Sequence, residues 1–423
     1  MATDHLIEVS GGWEGYVVGT VQRTKAGEAG RLRDEVSIEL LPKAGHARRC
    51  SGCALMVEAI HDVQERWIRD LPAFGADCWL LVHRVRVACP LCGPKLEDLP
   101  WLEAYARVTV RLAESVARLC RVLPIKHVAE EYALGWQTVK AIDKAYLKRE
   151  LGPPNLDGLE QIAMDEFAIR KGHRYATVIL EPMSKRVVWV GRGRSREDVR
   201  VFFELLGSER CARLKAVAMD MNGAYVEEVK AKCPNAEVVY DLFHVVAKYG
   251  REVVDRVRVD EANRLRDDKP SRKLIKSSRW LLLKNTENIK KEEDRVRLKE
   301  LLAANRQLMC VYVLKDDLKG LWDYRQPKRA MRFWRSWYAR AIHSRIEPLI
   351  TFAKRLKAYL PGILSHCRYP LHTSLLEGVN NKIKVLKRMA YGFRDDEYFF
   401  LKIRAAFPGN STHTPIIQTY LTP

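Results

Sequence analysis

The chain has 423 residues, enough for several domains, and its 73 Lys and Arg outnumber 53 Asp and Glu to leave a net charge of +20. An excess of that size suits a polyanionic partner, most simply nucleic acid, with a basic protein of no specific partner as the plainer alternative. No apolar run reaches about 18 residues, so no membrane span is expected. Met1-Ala2-Thr3-Asp4-His5 does not resemble a secretory signal, which points to a cytoplasmic chain with its ten cysteines reduced or metal-bound.

Residues 1–49 hold short strand-like pieces, Gly15 to Val21 and Val36 to Leu41. Residues 50–99 hold two Cys-x-x-Cys turns, Cys50 with Cys53 and Cys89 with Cys92. In a reduced protein such a pair of turns matches a four-cysteine zinc ribbon around one structural Zn²⁺. The gap between them is longer than a ribbon's usual spacing and contains a strand, Cys78 to Val87. Coincidental pairs of buried thiols are the alternative, and the six other cysteines read as ordinary semi-buried residues. Residues 100–150 turn helical. Leu102, Tyr105, Val108, Leu112, Val116 and Leu119 give helical spacing over Trp101 to Val122. A short helix over Ile125 to Leu134, a turn at Gly135 and a helix over Trp136 to Leu147 form a helix-turn-helix pattern with Ala129, Leu134, Val139 and Ile142 inward. Gln137, Thr138, Lys140 and Lys144 are then candidates to enter a DNA groove; a small three-helix core without DNA would look similar.

Gly152-Pro153-Pro154-Asn155 is a linker, and residues 156–245 read as α/β. Ile162 to Ile169 is an apolar strand with Asp165 and Glu166 in its middle. A buried carboxylate is costly unless a metal ion or a cation accompanies it. The turn at Lys171-Gly172-His173 leads to a strand through Arg174 to Leu180, and Val187 to Val190 gives a third. Ser195 and Asp198 have the spacing of a capping box ahead of a helix. A strand ending in Asp220, a helix over Tyr225 to Lys232 and a strand over Ala236 to Asp241 follow. The order βββαβαβ is that of a ribonuclease H-like mixed sheet, whose strand ends are where ligands bind.

Residues 246–365 show helical periodicity and no convincing strand, an all-helical insertion. Its Trp322, Phe333, Trp334, Trp337 and Tyr338 mingle with Arg332, Arg335 and Arg340. A DNA-contacting surface is one reading; a helical core with snorkelling arginines is the favoured one. Residues 366–410 return to the catalytic core, and 411–423 form a tail. Here Leu375, Val379, Ile383 and Leu386 make one helical stripe, and Glu377, Asn381, Lys384 and Arg388 make a second. A two-residue offset is about 200° of helix, so the stripes face opposite ways. One packs on the sheet; the other offers an acid for a metal and an amide and bases for flanking phosphates.

Asp165, Asp220 and Glu377 thus come from the first strand, the fourth strand's end and a late helix. Three carboxylates meeting on such a sheet hold two Mg²⁺ (or Mn²⁺) ions, and oxygen ligands suit these ions better than zinc. Glu166 points to the strand's other face, where a structural ion pair is expected.

The chain resembles insertion-sequence transposases of the ISL3 family, which are DDE transposases. The resemblance rests on Met164-Asp165-Glu166-Phe167-Ala168 with Lys171-Gly172 and Tyr175; on Asp241-Leu242-Phe243-His244-Val245; on Ser278-Arg279-Trp280 through Asn285; and on Leu376-Glu377-Gly378-Val379-Asn380-Asn381 through Arg388 with Tyr391-Gly392-Phe393-Arg394. It implies catalytic Asp165, Asp220 and Glu377 with a helical insertion between the last two. It also implies binding of the element's terminal inverted repeats by the N-terminal modules, transfer of cut 3′-OH ends into target DNA, and at least a homodimer in the synaptic complex. Asp241 and His244 match its D-x-x-H signature, to orient DNA or strands near the site; a core histidine satisfied by Asp241 is the alternative. A catalytically dead, DNA-binding regulator and a nuclease acting on RNA or hybrids are the rival functions.

Overall fold

The computed structural model describes residues 12–28, 32–170, 172–284, 288–371 and 374–410. Lys171, Asn285 and the expected tail at 411–423 lie outside them. The chain forms two compact units, one running to Gly152 and including Met389–Tyr391, the other taking the rest from Pro153.

The first unit opens with β1 (Tyr16–Thr24), β2 (Glu35–Pro42), β3 (Ile60–Ala73), β4 (Ala76–Cys89) and β5 (Gly93–Leu96). They make a five-stranded sheet ordered β1-β2-β4-β3, with β5 also paired to β4. β2 runs parallel to β4 and the other pairs are antiparallel. Strands from both sides of residue 49 therefore share one sheet. β3 has polar residues, His61 to Arg66, where the sequence suggested a gap; as an edge strand it can leave them in water. The inward residues Ile38, Leu40, Leu80 and Val82 pack with Trp13, Trp101 and Leu102.

α1 (Val110–Leu119), α2 (Ile125–Glu131) and α3 (Trp136–Leu151) follow. The expected helix from Trp101 begins only at Val110, where the Thr109 hydroxyl accepts from the Leu112 N–H. Trp101 and Leu102 belong to the sheet's core instead, and Tyr105 is left-handed at φ +63°. Leu112, Val116, Val128, Tyr132 and Val139 form a separate small core among the three helices. The tight turn is also displaced by two residues. Ala133 takes the left-handed conformation, φ +48°, while Gly135 at φ −62° caps α3. Buried Asp70 accepts from Trp13 Nε1, Thr109 Oγ1 and Arg111 Nε at 3.0, 2.6 and 2.7 Å, tying β3 to the start of α1.

The second unit begins with β6 (Gln161–Arg170), β7 (Arg174–Glu181) and β8 (Arg186–Arg192), then α4 (Arg196–Leu206), α5 (Ser208–Arg213), β9 (Ala216–Met219), α6 (Gly223–Lys232) and β10 (Glu237–Tyr240). The capping box at Ser195 and Asp198 is formed at the head of α4. The sheet is mixed and ordered β10-β9-β6-β7-β8. β6, β9 and β10 are parallel; β7 and β8 complete the antiparallel meander.

Helices alone follow: α7 (Leu242–Tyr249), a π turn over Gly250–Val254, α8 (Asp255–Arg264), α9 (Lys269–Ser277), α10 (Arg279–Leu283), α11 (Glu292–Ala304), α12 (Arg306–Lys319), α13 (Pro327–Ile342), α14 (Glu347–Lys357) and α15 (Leu360–Ser365). Trp322, Trp334 and Trp337 of this section face inward, whereas Trp280 is exposed. Trp334 and Trp337 are stacked and buried, and the Trp322 and Trp337 ring N–H groups donate to the Tyr240 and Leu314 carbonyls. Arg332, Arg335 and Arg340 stay exposed, as a helical core requires. α16 (Ser374–Met389) and α17 (Asp396–Ala406) then return to the sheet. Leu376, Val379, Ile383, Phe399 and Ile403 cover the face that carries Ala163, Phe167, Val178 and Leu180. Ile162, Met164 and Ile179, on the opposite face, pack with α4, α6 and the helical section.

Candidate active site

β6 is the sheet's central strand, and Asp165 sits halfway along it. The parallel register pairs Gln161 with Ala216 and Ala163 with Ala218, so Asp165 stands level with Asp220, one residue beyond the end of β9. Adjacent strands lie about 4.8 Å apart, which brings the two carboxylates to neighbouring positions. α16 adds Glu377 from its first turn, because its apolar stripe is committed to the sheet. All three line one cleft of about 470 Å³, together with Glu166, Phe243, His244, Arg251, Asn380, Asn381 and Lys384.

The cleft has more buried negative charge than its own residues satisfy. Asp165 Oδ1 accepts from the Glu166 N–H at 2.8 Å, and Oδ2 accepts from Asn380 Nδ2 at 2.6 Å. Among the described residues, Asp220 Oδ1 and Glu166 Oε2 are buried without a hydrogen-bond partner. Burial raises the pKa of Asp165, Glu166 and Asp220 above the ordinary carboxylate range. The Glu166 charge adds to the effect on Asp165, and Asp220 and Asp165 add to it on Glu166 and Asp220 respectively. His244 opposes it at all three. Partnerless carboxylate oxygens with no sulfur donor suit hard divalent cations such as Mg²⁺ or Mn²⁺.

A second cluster lies in the first unit. The Cys50, Cys53, Cys89 and Cys92 sulfurs all lie within 4.8 Å of one another, with Cys53 and Cys89 3.6 Å apart. Zinc–sulfur bonds of 2.3 Å in a tetrahedron separate sulfurs by about 3.8 Å. The β4–β5 hairpin holds one Cys pair, and the Cys50–Glu97 bridge anchors the other. Burial raises the Cys89 pKa, but the backbone N–H groups of Cys92 and Leu91 and the neighbouring thiols bring it down to about 7. Hydrogen bonding to Cys53, with burial, pushes Cys92 up to about 12. Four thiols at this spacing are compatible with the tetrahedral ligand set of a structural zinc site.

Residues 162–403 match the family model for transposases of the ISL3 DDE group, and residues 97–147 match the helix-turn-helix domain of transposase family ISL3. The chain belongs to the ISL3 family of insertion-sequence transposases. It is 53% identical over 407 residues to the transposase for insertion sequence element IS1001 of Bordetella parapertussis, covering 96% of this chain and 98% of that one. It is 28% identical over 409 residues to the transposase for IS1557 of Mycobacterium tuberculosis, covering 89% and 91%.

Within the transposase, the residues expected from the sequence fall out as follows. Asp165, Asp220, Glu377, His244, Asn381 and Lys384 share the cleft, and Lys384 donates to Asn381 at 3.2 Å. Arg388 is exposed one turn further along α16 and is not among the cleft residues. Asp241 is buried at the head of α7. At the start of α3, Gln137 and Thr138 are exposed, while Lys140 and Lys144 are half-buried and engaged within the protein. Glu166 departs from the expectation of a purely structural role. It does face the other side of β6 and pairs with Arg194 at 3.4 Å, yet it reaches the same cleft. Asn380, Phe243 and Arg251 were missed. Asn380 adjoins the acid-bearing stripe of α16 and lies in the block that carries the family resemblance, but neither gave it a role.

Proposed function

We propose that this transposase cuts DNA at the ends of its insertion sequence and joins the freed 3′-OH ends to target DNA. The observation that carries the reading is the single cleft that gathers Asp165, Asp220 and Glu377 from three separate elements. The strand order, with β6 central between a meander and two parallel strands, supports a ribonuclease H-like core over 156–245 and 366–410, interrupted at 246–365. Asp165, Asp220 and Glu377 would hold two divalent ions, Mg²⁺ or Mn²⁺, which supply charge stabilisation for in-line displacement at phosphorus. Asn380 fixes one Asp165 oxygen, leaving the carboxylate a set orientation.

The cysteine cluster holds one structural Zn²⁺ in this reading. The sheet of the first unit with the 100–150 helices binds the terminal inverted repeats as duplex, Gln137 and Thr138 entering the groove. The protein works in the bacterial cytoplasm, on the nucleoid, and joins two ends as a dimer or larger assembly.

The test uses labelled duplexes carrying the inverted repeats that flank the gene. The wild type cuts them with Mg²⁺ or Mn²⁺. Asp165→Asn, Asp220→Asn and Glu377→Gln each abolish cutting and joining while retarding the duplex in a gel as before. Cutting that survives in any one of the three removes that residue from the site. A wild type that binds the ends but never cuts them leaves a DNA-binding regulator on a dead scaffold.

A further inference from the structure

Arg251 is a cleft residue that the protein itself leaves unused. It lies in the π turn between α7 and α8 and lines the cleft with four carboxylates. Its side chain is exposed, and among the described residues it makes no ion pair or hydrogen bond. Two cations near the site are engaged within the protein: Lys384 is bonded to Asn381, and Arg194 pairs with Glu166. An arginine beside so much unpaired negative charge would ordinarily bend toward it and form an ion pair; this one does not.

The backbone explains how it is held there. His244, in α7, and Arg251, in the π turn that follows it, both line the cleft. The π turn widens the ladder just at Gly250, and π turns in helices concentrate at functional sites. Leu283 packs closely on Gly250: a Cβ there would meet Leu283 Cδ2 at 2.9 Å, and the leucine tip would have to move. Val253, Val254 and Val257 follow as fully buried anchors, so the turn is fixed from below while Arg251 projects from above. The next residue, Glu252, is drawn away from the cleft by Arg355, 3.7 Å from it.

Resting on the DNA-cutting reading above, we infer that Arg251 is a phosphate-binding residue of the cleft. Its guanidinium grips one backbone phosphate of the strand being cut and holds it in line beside the carboxylates. A forked, permanently charged donor suits a phosphate's oxygens, and it adds positive charge where negative charge grows in the transition state.

The experiment compares wild type, Arg251→Ala and Arg251→Lys on end duplexes in which each phosphate near the cut is replaced, one at a time, by a neutral methylphosphonate. Arg251→Ala is expected to cut the unmodified duplex about 100-fold more slowly, with Arg251→Lys between. It should keep the wild-type thermal midpoint, Mn²⁺ affinity and gel retardation of ends. At one phosphate position the methylphosphonate should slow the wild type but cost Arg251→Ala nothing further, because the partner is already gone. Wild-type cutting rates in Arg251→Ala, or equal added penalties at every position, overturn the inference and leave the carboxylate site standing. A wild type with no metal-dependent cutting overturns both readings.

Discussion

Burial strips the Lys315 ammonium of water and lowers its pKa to about 8. Its Nζ survives there by donating to the Leu282 and Lys284 carbonyls at 2.9 Å each, closing the open end of α10. In the unfolded chain the same amine titrates near its ordinary value of 10.5. Between pH 8 and 10.5 the unfolded state therefore binds more protons, and stability rises with pH across that window. The contribution is complete above 10.5 and is lost as pH falls through 8. Lys315→Met should lower the thermal midpoint at pH 7, since two carbonyls lose their donor, and should flatten this part of the pH profile. A mutant with the wild-type pH slope would assign that slope to another group. The residues of the cleft were legible in the sequence to different degrees for similar physical reasons. Asp165 and Asp220 stood out because a carboxylate in an apolar strand is costly without a partner. Glu377 stood out because an acid opposite an apolar stripe must face away from the core. Asn380 falls between the two stripes and is an amide, so neither burial cost nor helical phase marked it. For Glu166 the alternation rule gave the correct face of β6, but a rule about faces does not say how far a cleft at the strand ends wraps around both.

At the scale of elements, the cysteine turns should behave as a staple on the first sheet. β4 carries Cys89 at its end and lies at the sheet's centre, paired to β2, β3 and β5. Metal analysis of the pure protein is expected to find one zinc per chain, and Cys50→Ser to find none. Stripping the metal with a chelator should lower the melting temperature of the first unit and weaken binding to end duplexes. Zinc-free protein that melts and binds unchanged would reduce the cluster to four neighbouring thiols. Elements with strong periodicity were read well: β6, β7, β9, the α4 cap and the stripe of α16. The misses share a cause, which is that tertiary packing overrode local pattern. β3 is half a solvent-facing edge, so its composition is that of a loop. α12 lies within the expected helical section but shows little amphipathic contrast, because it is buried on several sides, Leu308, Val311, Leu314 and Lys315 together. The apolar spacing that seemed to start a helix at Trp101 belongs to two cores, the sheet's through Leu102 and the helices' from Leu112.

For the whole molecule, a net charge of +20 should show in the salt dependence of DNA binding. Each phosphate neutralised adds about 0.9 to the slope of log K against log salt, so end binding should fall about 10³-fold or more between 50 and 200 mM salt. A flat titration would mean that the excess charge serves something other than duplex DNA. The division into two units has a consequence of its own. One face of the sheet in the second unit is covered by α16 and α17, which the ribosome makes after every strand of that sheet. At about 5–20 residues per second, residues 152 and 388 emerge roughly 10–50 s apart. During that interval the stretch of the first unit up to Gly152 is already made, while Phe167, Val178 and Leu180 still lack their cover. On the proposed reading, a message cut short before Glu377 would yield a product with no third acid and a bare greasy face, open to proteases before it could break DNA.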